Sequence, residues 1–269
     1  MAQHDLTPQF HHVLALLFIL ILISGCSSVP RAFSPTQPLS IQEFSHQPFN
    51  AVLQAHVSEG VVKYPQLAED PRFSEYVEQL NHIDPTAFLT RNEQLAFWIN
   101  AYNAFAIKGI LDGYSPRTKI GQWRFFIGQT YAVGGEPINL YDLEQAILIH
   151  DFHEPRIHFA IVCASQSCPH LRSWAYDPAH LDEQLNDSAR RFINDVSKNR
   201  FDRSERVAYL SRIFDWFAED FEAQAGSLAN YVSQFVNDPE LAQDLRIGNY
   251  SIEFLNYDWN LNGIPPMLP

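Results

Sequence analysis

Between Thr90 and Gly113 the chain carries Leu95, Phe97, Trp98, Ile99, Tyr102, Phe105, Ile107 and Ile110 at spacings that leave no clear polar face. A helix that is apolar nearly all round is stable in a globular domain only when protein covers it on most sides. The pattern predicts a central helix, capped by Thr90 or Asn92, around which the rest of the chain must be arranged. Asn100 and Asn103 lie three residues apart on one side of it. A buried carboxamide needs partners for its carbonyl and its N–H groups. Each asparagine therefore either ties the helix to a neighbouring loop or lines a cleft and orients a substrate or a histidine.

The flanking pattern is mixed. Phe49, Val52, Leu53 and Val57 have helical spacing and Gly60 ends that helix, with a short extended segment at Val61–Pro65. Pro71 opens a second helix over Arg72–Ile83. Aromatic and β-branched residues around Gly134-Gly135 predict a β-hairpin within Trp123–Ile138, and Asn139 with Asp142 caps a helix from Leu140 to His150. Arg156–Cys163 is a near-continuous run of strand formers, which predicts a strand buried on both faces. An amphipathic helix over Pro178–Asn199 follows, then a strand at Arg206–Ser211, three short helices between Ile213 and Leu245, and a terminal strand within Ile247–Tyr257. The expected fold class is α+β, a single domain with helices packed around a small, mainly antiparallel sheet.

The N-terminus reads differently. An apolar run from Val13 to Ile23 ends in Ser24-Gly25-Cys26. It is shorter than the ~20 residues a membrane-spanning helix needs, so it reads as a removable hydrophobic segment. Small residues followed by cysteine resemble the lipobox of bacterial lipoproteins, which implies cleavage before Cys26 and lipidation of Cys26. Residues 1–12 contain no Lys or Arg, a departure from the usual positive start. Ser27, a non-aspartate after the cysteine, resembles the outer-membrane sorting signal of Gram-negative lipoproteins. Val29–Gln47, rich in Pro, Ser and Gln, reads as a tether. The expected organisation is a signal peptide at 1–25, lipidated Cys26 and tether at 26–47, and a globular domain at 48–264.

Composition excludes one class of partner. The formal charge is −13, and nucleic-acid binding needs clustered Lys and Arg to displace counterions. Membrane association is assigned to acyl chains on Cys26. With Cys26 lipidated, Cys163 and Cys168 remain as a pair in an oxidising compartment.

Candidate chemistry gathers around that pair. Three readings stay open beside inert thiols. The first is a Cys163–Cys168 disulfide that staples the loop. The second is a Cys163 nucleophile with His158 or His170 as base. The third is zinc held by Cys163, Cys168 and His170, the only cofactor the residues suggest. On a regular strand His158 and Cys163 face opposite sides, which works against a direct dyad. Glu144 lies among apolar residues and is expected to pair with Arg156 or His158, or to act as an acid–base group. The aromatic and acidic stretches Phe214–Phe221 and Tyr257–Asn260 read mainly as core.

Taken in order, Leu95–Asn103, Asp142-Leu-Glu144, Arg156–Pro169, Phe214–Phe221 and Asn256–Asn262 resemble the uncharacterised family called domain of unknown function 547. The likeness spans roughly residues 48–262, and its motif residues fall on Asn100, Tyr102, Asn103, Glu144, His158, Cys163, Cys168 and Pro169. The family implies no mechanism. A central helix followed by a His-bearing strand also resembles the order of papain- and transglutaminase-like folds. Their nucleophilic cysteine opens the helix, and here that helix has none.

Two functions follow. One is an outer-membrane-anchored lipoprotein facing the periplasm, acting as a binding or structural protein with an envelope-protein or peptidoglycan partner. The alternative is a hydrolase or transferase with a site of Glu144, His158 and Cys163, and Asn100 or Asn103 orienting substrate.

Overall fold

Thr90 and Glu93 close a reciprocal capping box, each side chain bonding the other's backbone N–H, and launch the helix Arg91–Leu111. In the computed structural model, which describes residues 39–266, this helix runs through the centre. Fourteen of its residues are buried, from Leu95 to Ile110, including both asparagines. Side chains of the size of Phe97, Ile99, Phe105 and Ile107 each gain about 1.5–3 kcal/mol from full burial, so the helix is held by its surroundings.

In chain order the elements are α1 (Gln47–His56), β1 (Val57–Ser58), β2 (Val61–Lys63), α2 (Tyr64–Ala68), α3 (Pro71–His82), the central α4 (Arg91–Leu111) and α5 (Lys119–Trp123). Then come β3 (Tyr131–Val133), β4 (Glu136–Ile138), α6 (Leu140–Asp142) continuing into a π-helical stretch at Leu143–Ile149, and α7 (Leu181–Asn194). The chain finishes with β5 (Arg200–Asp202), β6 (Val207–Leu210), α8 (Ile213–Trp216), α9 (Ala218–Ala225), α10 (Leu228–Ser233), α11 (Pro239–Arg246), β7 (Ser251–Phe254) and β8 (Gly263–Ile264). The class is α+β as expected.

The strands form three small sheets, ordered β1-β2-β8, β3-β4 and β5-β6-β7. Two of the pairings, β2 with β8 and β6 with β7, are parallel, and the rest are antiparallel. The hairpin turns on Gly134 and Gly135, both at positive φ (60° and 84°), as a two-residue loop of the primed type requires.

The core has two parts. One surrounds α4 and includes Phe49, Tyr76, Phe97, Phe105 and Leu143. The other lies among α7 to α11 and β6, with Phe192, Phe214, Phe221 and Tyr231. They meet at a 3-10 turn, Pro155–Phe159, which puts Ile157 into the first part and Phe159 into the second.

That turn corrects the strand expected at Arg156–Cys163. Pro155 occupies the first turn and the Glu154 carboxylate caps it by accepting from the Arg156 N–H, which favours tight helical winding. From Ala160 to Cys163 the chain is irregular and pairs with no strand among the described residues. An apolar run buried on every side has the same sequence signature whether it is strand, turn or irregular segment. With the strand goes the His-bearing element on which the papain- and transglutaminase-like order rested.

Two boundaries also move. Trp123–Gly128, expected within the hairpin, is helical and ends in a π turn at Arg124–Gly128. Residues 39–47, assigned to the tether, pack on the domain. The Leu39 N–H donates to the His82 carbonyl at 2.9 Å, and Phe44 lies against Phe88 and Phe97. His46 accepts from or donates to the Tyr76 hydroxyl at 2.7 Å, and burial pushes its pKa down to about 4. Polar composition concealed these few apolar anchors. The signal segment 1–25, Cys26 and the first part of the tether lie outside the described residues.

Candidate functional site

The asparagines of α4 act as two-point clamps. Asn103 Oδ1 accepts from the Val162 N–H and its Nδ2 donates to the Ala160 carbonyl, both at 2.9 Å. Asn100 makes the same pair with the N–H and carbonyl of Tyr176, both at 2.8 Å. Each carboxamide thus replaces the peptide group of a missing neighbouring strand. This is the structural role weighed for them. Asn103 positions the segment that leads into the loop at Cys163, and Asn100 positions the chain at Tyr176.

Cys163 and Cys168 are joined by a disulfide. Cys163 is half-buried and Cys168 is buried. The C-terminal segment clamps the intervening loop. The Gln166 N–H donates to the Asn260 carbonyl, the Ser167 N–H to the Asp258 carbonyl, and the Asn262 N–H to the Ala164 carbonyl, at 2.7–3.1 Å. The Tyr257 hydroxyl lies 3.2 Å from Cys163 Sγ and 3.1 Å from Cys168 Sγ, and Ser165 Oγ donates to it at 3.1 Å. Closing so short a loop contributes about 2 kcal/mol through the unfolded state. The double variant Cys163→Ser/Cys168→Ser is therefore expected to lose about that much stability in urea unfolding. An unchanged midpoint would show that the clamp alone sets the loop.

Glu144 lies on the π-helical stretch after α6, a winding often found at functional sites. Its carboxylate accepts from the Tyr102 hydroxyl at 3.0 Å. The residue keeps some solvent contact, yet desolvation pushes the carboxyl up to about 7, against the opposing effect of the Tyr102 bond. Burial raises the Tyr257 hydroxyl above its ordinary value, the Ser165 bond opposes this, and the charge of Glu144 adds to the rise. An acid poised near neutrality, two tyrosines and the disulfide therefore form one electrostatic group. Trp216 and Trp259 flank it, with ring centres 4.7 and 4.5 Å from Tyr257. Trp216 is 46 % exposed.

His158 is elsewhere. Its Nε2 bonds Asp220 at 2.7 Å, its ring stacks on Phe217 at 4.0 Å, and burial holds its pKa below the ordinary value despite Asp220. None of its contacts reaches Cys163 or Glu144. The expected pairing of Glu144 with Arg156 or His158 is replaced by Tyr102, because Arg156 is engaged with Glu154 and Asp182 at 2.7 and 2.6 Å. The zinc alternative of Cys163, Cys168 and His170 is not assembled, since the two sulfurs are spent on each other. His170 instead faces Asp195 at 3.6 Å.

The loop beyond Cys168 forms one wall of a cleft of about 600 Å³, whose other wall is α7. Arg172, Trp174, Asp187, Arg190, Arg191 and Asp195 line it. Asp187 holds Arg172 at 2.5 Å and Arg191 at 3.0 Å, and the Arg172 guanidinium sits 4.9 Å from the Trp174 ring centre. Arg172 Nε is buried with no hydrogen-bond partner among the described residues. Gly60, at φ 78°, lies against the His170 ring, and a Cβ there would come within 2.6 Å of it. The cleft shares no lining residue with the Glu144 group.

The resemblance named Tyr102 without a role, Tyr257 was read as core, and the cleft arginines were missed. Tyr102 carried a signal, a hydroxyl on a helix without a polar face. Tyr257 is separated by 94 residues from Cys163, and nothing local joins them.

No curated protein and no solved structure matches the chain. The span from just before α4 to the end of α7 holds both asparagines, Glu144, His158, both cysteines and the cleft arginines. Over that span, residues 86–193, the chain matches the model of the family described as "Protein of unknown function, DUF547".

Proposed function

We propose that the chain is a lipid-anchored envelope protein, held to the outer membrane through Cys26 and facing the periplasm, whose folded part binds peptidoglycan through its stem peptides. The cleft between the disulfide loop and α7 carries this reading. Its volume of about 600 Å³ suits a small ligand. Three arginines set against Asp187 and Asp195 suit a ligand that carries both carboxylates and amines. Trp174 offers an apolar face beside them. The lipobox-like Ser24-Gly25-Cys26 and Ser27 support the placement, and the disulfide fits an oxidising compartment.

The hydrolase or transferase alternative now rests on Glu144 alone. Its carboxyl near pH 7 is matched to acid–base work. Cys163 is committed to the disulfide and His158 to Asp220, so the expected triad has no nucleophile–base contact.

Co-sedimentation of the full chain, in a Cys26→Ser background, with purified sacculi tests the binding reading. Arg190→Ala/Arg191→Ala removes two exposed charges and is expected to weaken retention at least about tenfold, since a charge-assisted bond contributes about 1.5–3 kcal/mol. Retention that the variant leaves unchanged would contradict the cleft as the site.

A further inference from the structure

The two sulfurs of the Cys163–Cys168 bond are not equivalent. Cys163 is half-buried, while Cys168 is buried at 3 % exposure. The Tyr257 hydroxyl lies between the two sulfurs, 3.1 Å from Cys168 Sγ and 3.2 Å from Cys163 Sγ, and Ser165 Oγ lies 3.3 and 3.1 Å from them. Among the described residues the inner sulfur alone has a backbone donor, the Cys163 N–H at 3.0 Å. Neither sulfur of a disulfide bears hydrogen, so the tyrosine hydroxyl donates to sulfur. Such donors bind a thiolate more strongly than a neutral sulfur, because bonds to an ionised acceptor are the stronger ones. Within the loop, Ala164 is held in the left-handed region at φ 59°, a strained conformation for a residue with a Cβ.

We propose that Cys163–Cys168 is a thiol–disulfide exchange centre in which Cys163 is the attacked sulfur and Cys168 is the leaving thiolate, held by the Cys163 N–H and by the Tyr257 hydroxyl, to which Ser165 donates. The incoming reactant is a thiolate of a small thiol or of a protein cysteine. Its sulfur bonds to Cys163 Sγ as the Cys163–Cys168 bond breaks, and the bonding pair stays on Cys168. A second thiolate then attacks the reactant's sulfur in the mixed disulfide and releases Cys163 as a thiolate. Two thiols are oxidised to one disulfide, and the protein disulfide is reduced to two thiols, which take up the two protons. The reverse sequence re-forms the bond at the expense of an external disulfide. Exchange of this kind favours an accessible attacked sulfur and a stabilised leaving thiolate.

The test uses the full chain in a Cys26→Ser background, leaving Cys163 and Cys168 as the only cysteines. Folded protein is incubated in reduced and oxidised glutathione mixtures, quenched with acid, alkylated and weighed intact. The bond is expected to open and re-form reversibly without unfolding. Glutathione is expected on Cys163 in the Cys168→Ser variant, and at least about tenfold less on Cys168 in the Cys163→Ser variant. Tyr257→Phe is expected to slow opening about tenfold, the worth of one hydrogen bond to a charged group. Circular dichroism confirms that each variant is folded, and a variant that is not is replaced by Cys→Ala at the same position. A bond that opens only in denaturant, or equal labelling of the two cysteines, would overturn the proposal.

Discussion

Replacing Asn103 by alanine is expected to cost about 3–5 kcal/mol of folding stability. The substitution strips partners from two buried backbone groups at once, the Ala160 carbonyl and the Val162 N–H. Each unpaired buried group costs about 1–3 kcal/mol, and no other strand lies alongside to take them. A side-chain cavity inside the core adds to the loss. Asn103→Asp separates the two bonds, because an ionised carboxylate still accepts from Val162 but presents no donor to Ala160. It is expected to be less damaging at low pH, where the acid can donate. Urea unfolding of both variants measures the effect. A loss under about 1 kcal/mol for the alanine variant would mean that the segment leading to Cys163 is held by something other than this carboxamide.

Glu144→Gln is expected to change the slope of stability with pH. In the folded chain the Glu144 carboxyl titrates near 7, against an ordinary value of 4.5. Between these values the folded form binds more protons than the unfolded form, so stability falls as pH rises. The group's contribution is fully present below pH 4.5 and is lost as pH passes through about 7. A shift of this size corresponds to about 3 kcal/mol, and the residue's partial exposure makes that an upper figure. Glutamine keeps the acceptor for Tyr102 and removes the charge. Wild type is therefore expected to lose up to about 3 kcal/mol relative to Glu144→Gln between pH 4.5 and 8. Parallel curves across that window would place the carboxyl in ordinary solvation and remove the acid–base reading.

These two residues show what was legible in the sequence and what was not. The central helix was legible because burial on all sides writes a hydrophobic signature that only one location satisfies. Its cap was legible as Thr90 or Asn92, and the structure selects Thr90 in a box with Glu93. The need of Asn100 and Asn103 for partners was legible too, but the partners were not. Tyr176 and the Ala160–Val162 segment are apolar or backbone contributors with no polar signature of their own. The same blindness produced the false strand at Arg156–Cys163, where a side-chain carboxamide stands in for a strand. Spacing left the fate of the cysteines open among a disulfide, a nucleophile, a zinc site and inert thiols, and the structure joins them. The convergence of Tyr257 on the sulfurs depends on a chain segment returning after 89 residues to Cys168, which no local pattern encodes.

The arrangement links these pieces into one wall. Asn103 fixes the approach to Cys163, the disulfide and the C-terminal clamp fix the loop, and the chain beyond Cys168 supplies His170, Arg172 and Trp174 to the cleft. A preformed wall lowers the ordering cost of binding. On the proposed binding, loss of the disulfide is expected to weaken affinity although neither cysteine lines the cleft.

The most direct test of the binding account is a calorimetric titration of the full chain, in the Cys26→Ser background, with a soluble muramyl peptide that carries free carboxylates. The account predicts saturable one-to-one binding that weakens at least about tenfold in Arg190→Ala/Arg191→Ala and weakens further with added salt. Absence of saturable binding, or affinity untouched by the loss of both arginines, would contradict it.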